Sequence, residues 1–594
     1  IRDSSNTALG FGALSGSSAG MTGDSNVAIG LSAMGNATNP YDNVVIGNYA
    51  GYDMTTAFNN TFLGYYAGGN ITDADSNTAV GKNALYSAVT SDDTVAIGFD
   101  ALYSQTADGS SSNVAIGTKA GRAITTGTEN TIVGFRAGYS TAAGIKSNTL
   151  IGNQAGYASD GDDNVCVGMN TAQNAGDMNY ATFVGSKAGG VGAITGDSNI
   201  GIGYRAGYNL TAGEKNQFIG TDAGYANTTG NYNVGIGHTA LYTNVDGDYN
   251  VAVGWEALYT MEPTDGYGKN VGIGAQALKK VTTGTGSIGI GYRAAYSLTD
   301  STHNIAIGNQ AMEDATGAGS TIAIGAFSGY KPTGANNIFM GYSSGYGDAT
   351  TKGAANNVGI GKETLKNITD GSSNVAVGHQ TGYSVTTGGS NVLIGYAAGY
   401  TLTTPTYTTL IGRNAGTAIT TGTPNTIIGG RAGQALTTGN YNTVVGQEAL
   451  KDATIATGTT AMGHQAGQTV TGNNNTIIGT EAGQASTSIG NTVMVGRQAG
   501  GGAVGTGVSN VFIGAGAGYA ATSAAKNVII GMNAGYALGS HGGSTIIGFE
   551  AGRFQDAGTG GSVAIGHQAL YSGTQNYQDV AIGYNAGRKV TGSS

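Results

Sequence analysis

One short alternation returns along the whole chain: a β-branched residue, a second residue, an aliphatic residue, then glycine, as in Val27-Ala28-Ile29-Gly30 and Val114-Ala115-Ile116-Gly117. With that glycine as anchor, 34 copies run from Gly10 to Gly583, and 22 of the 33 intervals are 17 residues, the rest 16 to 20. Such intervals hold neither a helical pair nor a propeller blade, so they predict one β-coil per repeat. Three residues before the anchor the residue is Val, Ile or Thr in 33 copies, Gln217 being the exception, and the residue just before it is Ile, Leu, Val or Met in all. By the two-residue period of a strand these two positions share one face, and that face is expected to form the core. The position between them is never polar, so the opposite face needs cover as well, most simply from other copies of the chain.

At that middle position four successive coils read Phe183, Gly201, Phe218, Gly235, and Phe339 is followed by Gly359. Large residues alternating with small ones suit layers that meet closely, which places these residues on the axis of a trimer. After the anchor come two variable residues, then Ala, Ser or Thr in every copy, a sequence that reads as a second short strand with a small inward residue. Thr-Thr-Gly segments such as Thr228-Thr229-Gly230 supply the turns. Asn stands four residues before the anchor in 24 copies, and amides stacked at one corner can hydrogen-bond along the stack. With strands ~4.8 Å apart, 34 coils predict a rod on the order of 160 Å, and residues 1–594 form one continuous array without a separate globular domain.

Composition matters through what it excludes. The chain holds 108 Gly, 5 Pro and 1 Cys in 594 residues, and charged residues are 10% of it. One Cys makes neither a disulfide framework nor a thiolate metal site. A net charge of −10 argues against nucleic acid or an anionic membrane as partner, since both call for clustered Lys and Arg. The chain begins Ile1-Arg2-Asp3 with no leader pattern, and no window approaches a membrane-spanning length of apolar residues; a processed chain or a piece of a longer one is expected.

Candidate chemistry is sparse. Four of the six His (His238, His379, His464, His567) directly follow an anchor and read as a solvated stripe. Asp92-Asp93 and Asp162-Asp163 are adjacent carboxylates in turns, without the spacing of a calcium-binding nonapeptide. No group of residues converges as catalysis requires, so no enzyme activity, cofactor or metal is expected. Tyrosines recur at one site (Tyr86, Tyr103, Tyr139, Tyr157, Tyr208, Tyr225, Tyr242, Tyr259) and either pack on each other's turns or offer sugar-stacking rings. Longer intervals put extra residues near 15–23, 104–111, 260–268 and 347–355. Of these, the 260–268 loop is the most unusual, and with Trp255 it supplies the candidate surface contacts Trp255, Tyr259, Glu262 and Tyr267.

The segments Ser25 to Gly30, Ser112 to Gly117, Gly561 to Gly566 and Asn374 to Ser384 resemble the head repeats of YadA-like trimeric autotransporter adhesins, and Asn77 to Ser87 is similar to the solenoid shafts of phage tail fibres. The resemblance covers essentially the whole chain, although the adhesin repeat is nearer 14 residues. It implies a left-handed parallel β-roll, a homotrimer, and an extracellular or virion location. Together these readings give a structural protein, the trimeric shaft of a phage tail fibre or related host-attachment appendage with a cell-surface glycan or receptor as partner. The alternatives are a subunit of a head-to-tail filament, since the repeat runs from Asn6 to Gly583 without polar caps, and a monomeric ice- or glycan-binding solenoid, against which stands the interruption of the Thr array at Asp73-Ala74-Asp75. A depolymerase ranks last.

Overall fold

The computed structural model describes residues 5–16, 22–190, 192–262, 266–331, 333–347, 353–502, 505, 507–555, 560–574 and 578–591. They fall in two compact units that divide between Thr302 and His303. In the first unit, seventeen strands from Thr7–Leu9 to Ile288–Ile290 lie parallel, one per repeat. In the second, seventeen more run from Ile305–Ile307 to Val580–Ile582. Both units are all-β parallel solenoids in exact repeat register; Ile200, Gly201 and Ile202, for example, pair with Gln217, Phe218 and Ile219 of the next coil. Among the described residues no helix is long and apolar enough to cross a membrane.

Each strand does separate two faces, but the inside and outside are the reverse of the expectation. The middle residue is the buried one: Ala28, Phe62, Phe183, Phe218, Phe339 and Phe512 all lie in the interior of their own unit. The flanking Val, Ile or Thr and the aliphatic residue before the anchor point outward and stay partly exposed. The reason is the narrowness of the coil. Its interior takes one strand residue, the small residue three after the anchor, and residues from the turn that closes the coil, as with Phe62, Ala67 and Ile71.

The Phe and Gly alternation belongs to this interior and not to an axis between chains. Phe183, Gly201, Phe218 and Gly235 are core residues of a single chain. A Cβ at Gly201 would stand 2.5 Å from Cδ1 of Phe183, and one at Gly235 3.1 Å from Cδ1 of Phe218. A second compensation works within each coil. All five buried strand Phe, at 62, 183, 218, 339 and 512, are followed six residues later by Gly68, Gly189, Gly224, Gly345 and Gly518. A Cβ at Gly224 would overlap the Phe218 ring, whereas Gly272 precedes Leu278. In these coils bulk at one site is matched by its absence at the other, and where both sites are glycine, as at Gly201 and Gly207, the Phe183 and Phe218 rings of the neighbouring coils fill the space.

The second strand expected after the anchor is replaced by turns. Non-glycine residues two after the anchor, such as Arg205 and Asp222, have φ of 54° and 56°, a left-handed conformation that bends the chain where a strand would extend it. The residue three after the anchor then donates its N–H back to the anchor carbonyl, as Ala223 does to Gly220 at 3.4 Å. Short strands form elsewhere instead: Ser91–Asp92 with Gly109–Ser110 in the first unit, and Phe554–Gln555, Ser572–Thr574 and Lys589–Thr591 in the second.

The asparagine ladder is present and buried. Nδ2 of Asn43 donates to Oδ1 of Asn26 (2.9 Å) and to the Ala57 carbonyl (2.8 Å), while Oδ1 of Asn43 accepts from the backbone N–H of Asn60 (2.9 Å) and its Nδ2 (3.1 Å). One side chain thus satisfies two backbone groups of the following coil and bonds the Asn side chain of the preceding one, at a corner from which water is excluded.

Candidate assembly face

The outward side of the strands is the most regular surface of each unit. Every strand places two residues there, and successive strands repeat them ~4.8 Å apart. The residue before the anchor is aliphatic throughout, with Ile202 39% and Ile273 38% exposed in the first unit and Met340, Ile360, Ile394 and Ile478 comparably exposed in the second. Beside it runs the β-branched row, Val in Val251–Val253 and Val271–Ile273, Thr in Thr409–Ile411 and Thr476–Ile478. A soluble single chain rarely shows so long a contiguous apolar surface unless something binds it. The face is largely apolar, its β-branched side chains held stiffly at χ1, with Thr hydroxyls and the Gln217 amide interspersed. It can pack against a matching surface; it offers no titratable group.

Next to it lies the row of residues that follow each anchor. Here Trp255 is 49% exposed, and Tyr204, Tyr292, Tyr342 and Tyr396 are similarly open. Two histidines of this row stack on their neighbours: His379 on Tyr396 (5.2 Å between ring centres, 6° between planes), and His567 between Phe549 (5.0 Å) and Tyr584 (4.9 Å). The other tyrosine row forms continuous stacks: Tyr208, Tyr225, Tyr242 and Tyr259 follow one another at 5.2, 5.1 and 5.1 Å with planes within 10°. Their faces cover each other, so sugar rings have access only to the edges within a stack.

The four candidate contact residues do not converge. Trp255 belongs to the row after the anchor and Tyr259 to the tyrosine stack, where Lys279 Nζ lies 5.7 Å from its ring centre. Glu262 is turned into the structure, its Oε2 accepting the Val245 N–H at 3.1 Å, and burial pushes its carboxyl above the ordinary range. Tyr267 is an exposed ring that pairs by a backbone bridge with Asp248 and carries Lys269 Nζ 5.1 Å from its centre. Residues 263–265 of that loop lie outside the described residues, as do 17–21 and 348–352 of two other expected loops. The described 104–111 loop folds onto the coil, with Gly109–Ser110 pairing on Ser91–Asp92.

The adjacent carboxylates serve as backbone acceptors. Asp92 Oδ1 accepts the Asp75 N–H at 2.7 Å and Asp162 Oδ1 that of Lys146 at 2.7 Å, while Asp93 accepts the Ser110 hydroxyl at 2.8 Å. Asp75 itself sits above the usual carboxylate range, through burial first and through the nearby charges of Asp92, Asp73 and Asp93. Cys166 is wholly interior, and burial pushes its thiol up to about 12, which keeps it protonated and unreactive at neutral pH.

Compared with known proteins, the chain matches no family model and no curated sequence.

Proposed function

We propose that the protein is a structural extracellular fibre protein, the shaft of a phage tail fibre or a related host-attachment appendage, built from three copies of this chain. The observation that carries this reading is the outward apolar face. Covering one of its half-exposed aliphatic residues is worth roughly 1 kcal/mol, and the row recurs on every strand of both units. A partner must therefore present an equally long apolar surface with the same strand-to-strand repeat, and a second copy of this chain does so by construction. The number three comes from the resemblance of the repeats to YadA-like heads and tail-fibre shafts. Trimerisation around this face leaves the tyrosine stacks and the loops outermost, where a receptor or cell-surface glycan would meet them.

A cross-linking experiment tests the reading. In an Ile202→Cys variant treated with a trifunctional maleimide, the introduced thiols of three chains meet near one axis, and covalent trimers are expected on a denaturing gel. Cys166 does not interfere, being buried and protonated. Cross-linking that stops at monomers contradicts self-association through this face, and cross-linking that stops at dimers contradicts the three-fold arrangement.

A further inference from the structure

Among the 34 residues that directly follow an anchor, glycine occurs once, at Gly430. Neither conformation nor crowding calls for it there: its φ lies outside the left-handed region, and a Cβ added to it would meet nothing within 4 Å. The missing side chain opens a gap in an otherwise continuous row, between Arg413 of the coil before and Gln447 of the coil after. The result is a notch of about 490 Å³ lined by Arg413, Arg431, Gln447 and Glu448 around Gly430, within the size range of small-ligand sites.

Its charge is opposite to that of the chain. Glu448 is already satisfied: Gln465 Nε2 donates to it at 3.0 Å, Arg431 Nη1 at 3.4 Å, and Lys451 Nζ stands 3.9 Å away. These contacts, the Gln465 hydrogen bond foremost, hold its carboxyl below the usual range, so it stays an anion. Arg431 spends one long contact on it and is otherwise exposed, and Arg413 makes no ion pair among the described residues. Two cations, Arg431 and Lys451, thus share one carboxylate, and Arg413 adds a third positive charge to the notch lining, in a protein whose net charge is −10.

We propose that this notch binds an acidic sugar residue, its carboxylate held by the guanidinium forks of Arg413 and Arg431 and its hydroxyls by the Gln447 amide. A planar fork matches a carboxylate through two parallel N–H bonds, and an amide both donates to and accepts from hydroxyls. The open side of the notch lets the rest of a saccharide chain continue along the surface. The site lies within one chain, so its failure leaves the assembly reading untouched. Phosphate shares the oxyanion chemistry but has no hydroxyl-bearing ring for Gln447.

The test is calorimetric titration of the full chain, at low ionic strength, with a tetrasaccharide of alternating glucuronic acid and N-acetylglucosamine, its methyl ester, and inorganic phosphate. The free acid is expected to bind, and to bind about tenfold or more weakly as the methyl ester or to an Arg413→Ala variant, the loss of a charged hydrogen bond. A Gly430→Gln variant keeps both guanidiniums and refills the gap with the residue that position 447 already accommodates; it is expected to lose binding to the same degree while folding normally. No binding of the free acid, or equal binding by the Gly430→Gln variant, overturns the proposal. Phosphate that binds as tightly as the tetrasaccharide overturns the assignment to a sugar.

Discussion

A Gly220→Ala variant is expected to lose the ordered structure of the coils around it. Gly220 has φ +135°, a region closed to residues with a side chain, and a Cβ there would lie 2.5 Å from the Gly237 carbonyl oxygen of the next coil. The same approach repeats up the stack, since a Cβ at Gly237 would lie 2.5 Å from the carbonyl oxygen of Gly254. The obstacle is backbone, which cannot swing aside, so the backbone strain and the overlap together cost at least about 3 kcal/mol. Coils in an array hold each other through their neighbours, so the damage spreads to adjacent coils and stops where intact interfaces outweigh it. Amide hydrogen exchange is the appropriate measurement, because a long array does not unfold as one unit. Protection is expected to fall in the strands Ile200–Ile202, Gln217–Ile219 and Val234–Ile236 and to persist in distant strands. Gly430→Ala is the control and is expected to change nothing. Unaltered protection in Gly220→Ala would mean that the anchor glycines are not what allows the coils to approach.

The second large effect concerns assembly without folding. In an Ile202→Glu, Ile273→Glu double variant both new carboxylates replace side chains that face outward in the single chain, at 39% and 38% exposure. The fold of one chain is expected to tolerate them, with a stability change within about 0.5 kcal/mol per site. In an assembly packed on this face, the same carboxylates would be buried without partners beside their own symmetry copies, at a cost of several kcal/mol each. The assembly is therefore expected to dissociate to the 58.9 kDa single chain at a lower urea concentration than the unsubstituted protein, while the circular dichroism spectrum in buffer is unchanged. An unchanged dissociation point would place the contact between chains elsewhere, and loss of the spectrum would mean that these residues serve the interior.

How much of this is visible in the sequence depends on whether a position repeats. The strand at each anchor, the asparagine corner and the tyrosine rows recur often enough that their chemistry names them. Which strand face is inside is a different matter: alternation separates Val27 and Ile29 from Ala28, but both sets are apolar, so hydrophobicity alone does not choose. The deciding signal was in side-chain volume. Phe218 with Gly224, set against Gly272 with Leu278, is compensation between residues of one coil, and such compensation occurs only where both fill the same interior. The turns after the anchor look like strand in sequence because left-handed φ values at Arg205 and Asp222 carry no sequence mark when the residue is not glycine. The notch was legible only as an exception, a lone glycine in a row of variable side chains. Trp255, Tyr259, Glu262 and Tyr267 stood out by residue type, and the coil geometry distributes them over different rows.

The central claim is that copies of this chain cover each other's outward strand face, and the most direct measurement is the native mass of the intact chain by light scattering. Three times the 58.9 kDa chain mass, 176.7 kDa, is the expected result. A mass of 58.9 kDa at micromolar concentration would contradict it, leaving the apolar face open to water and returning the protein to the class of single-chain binding solenoids.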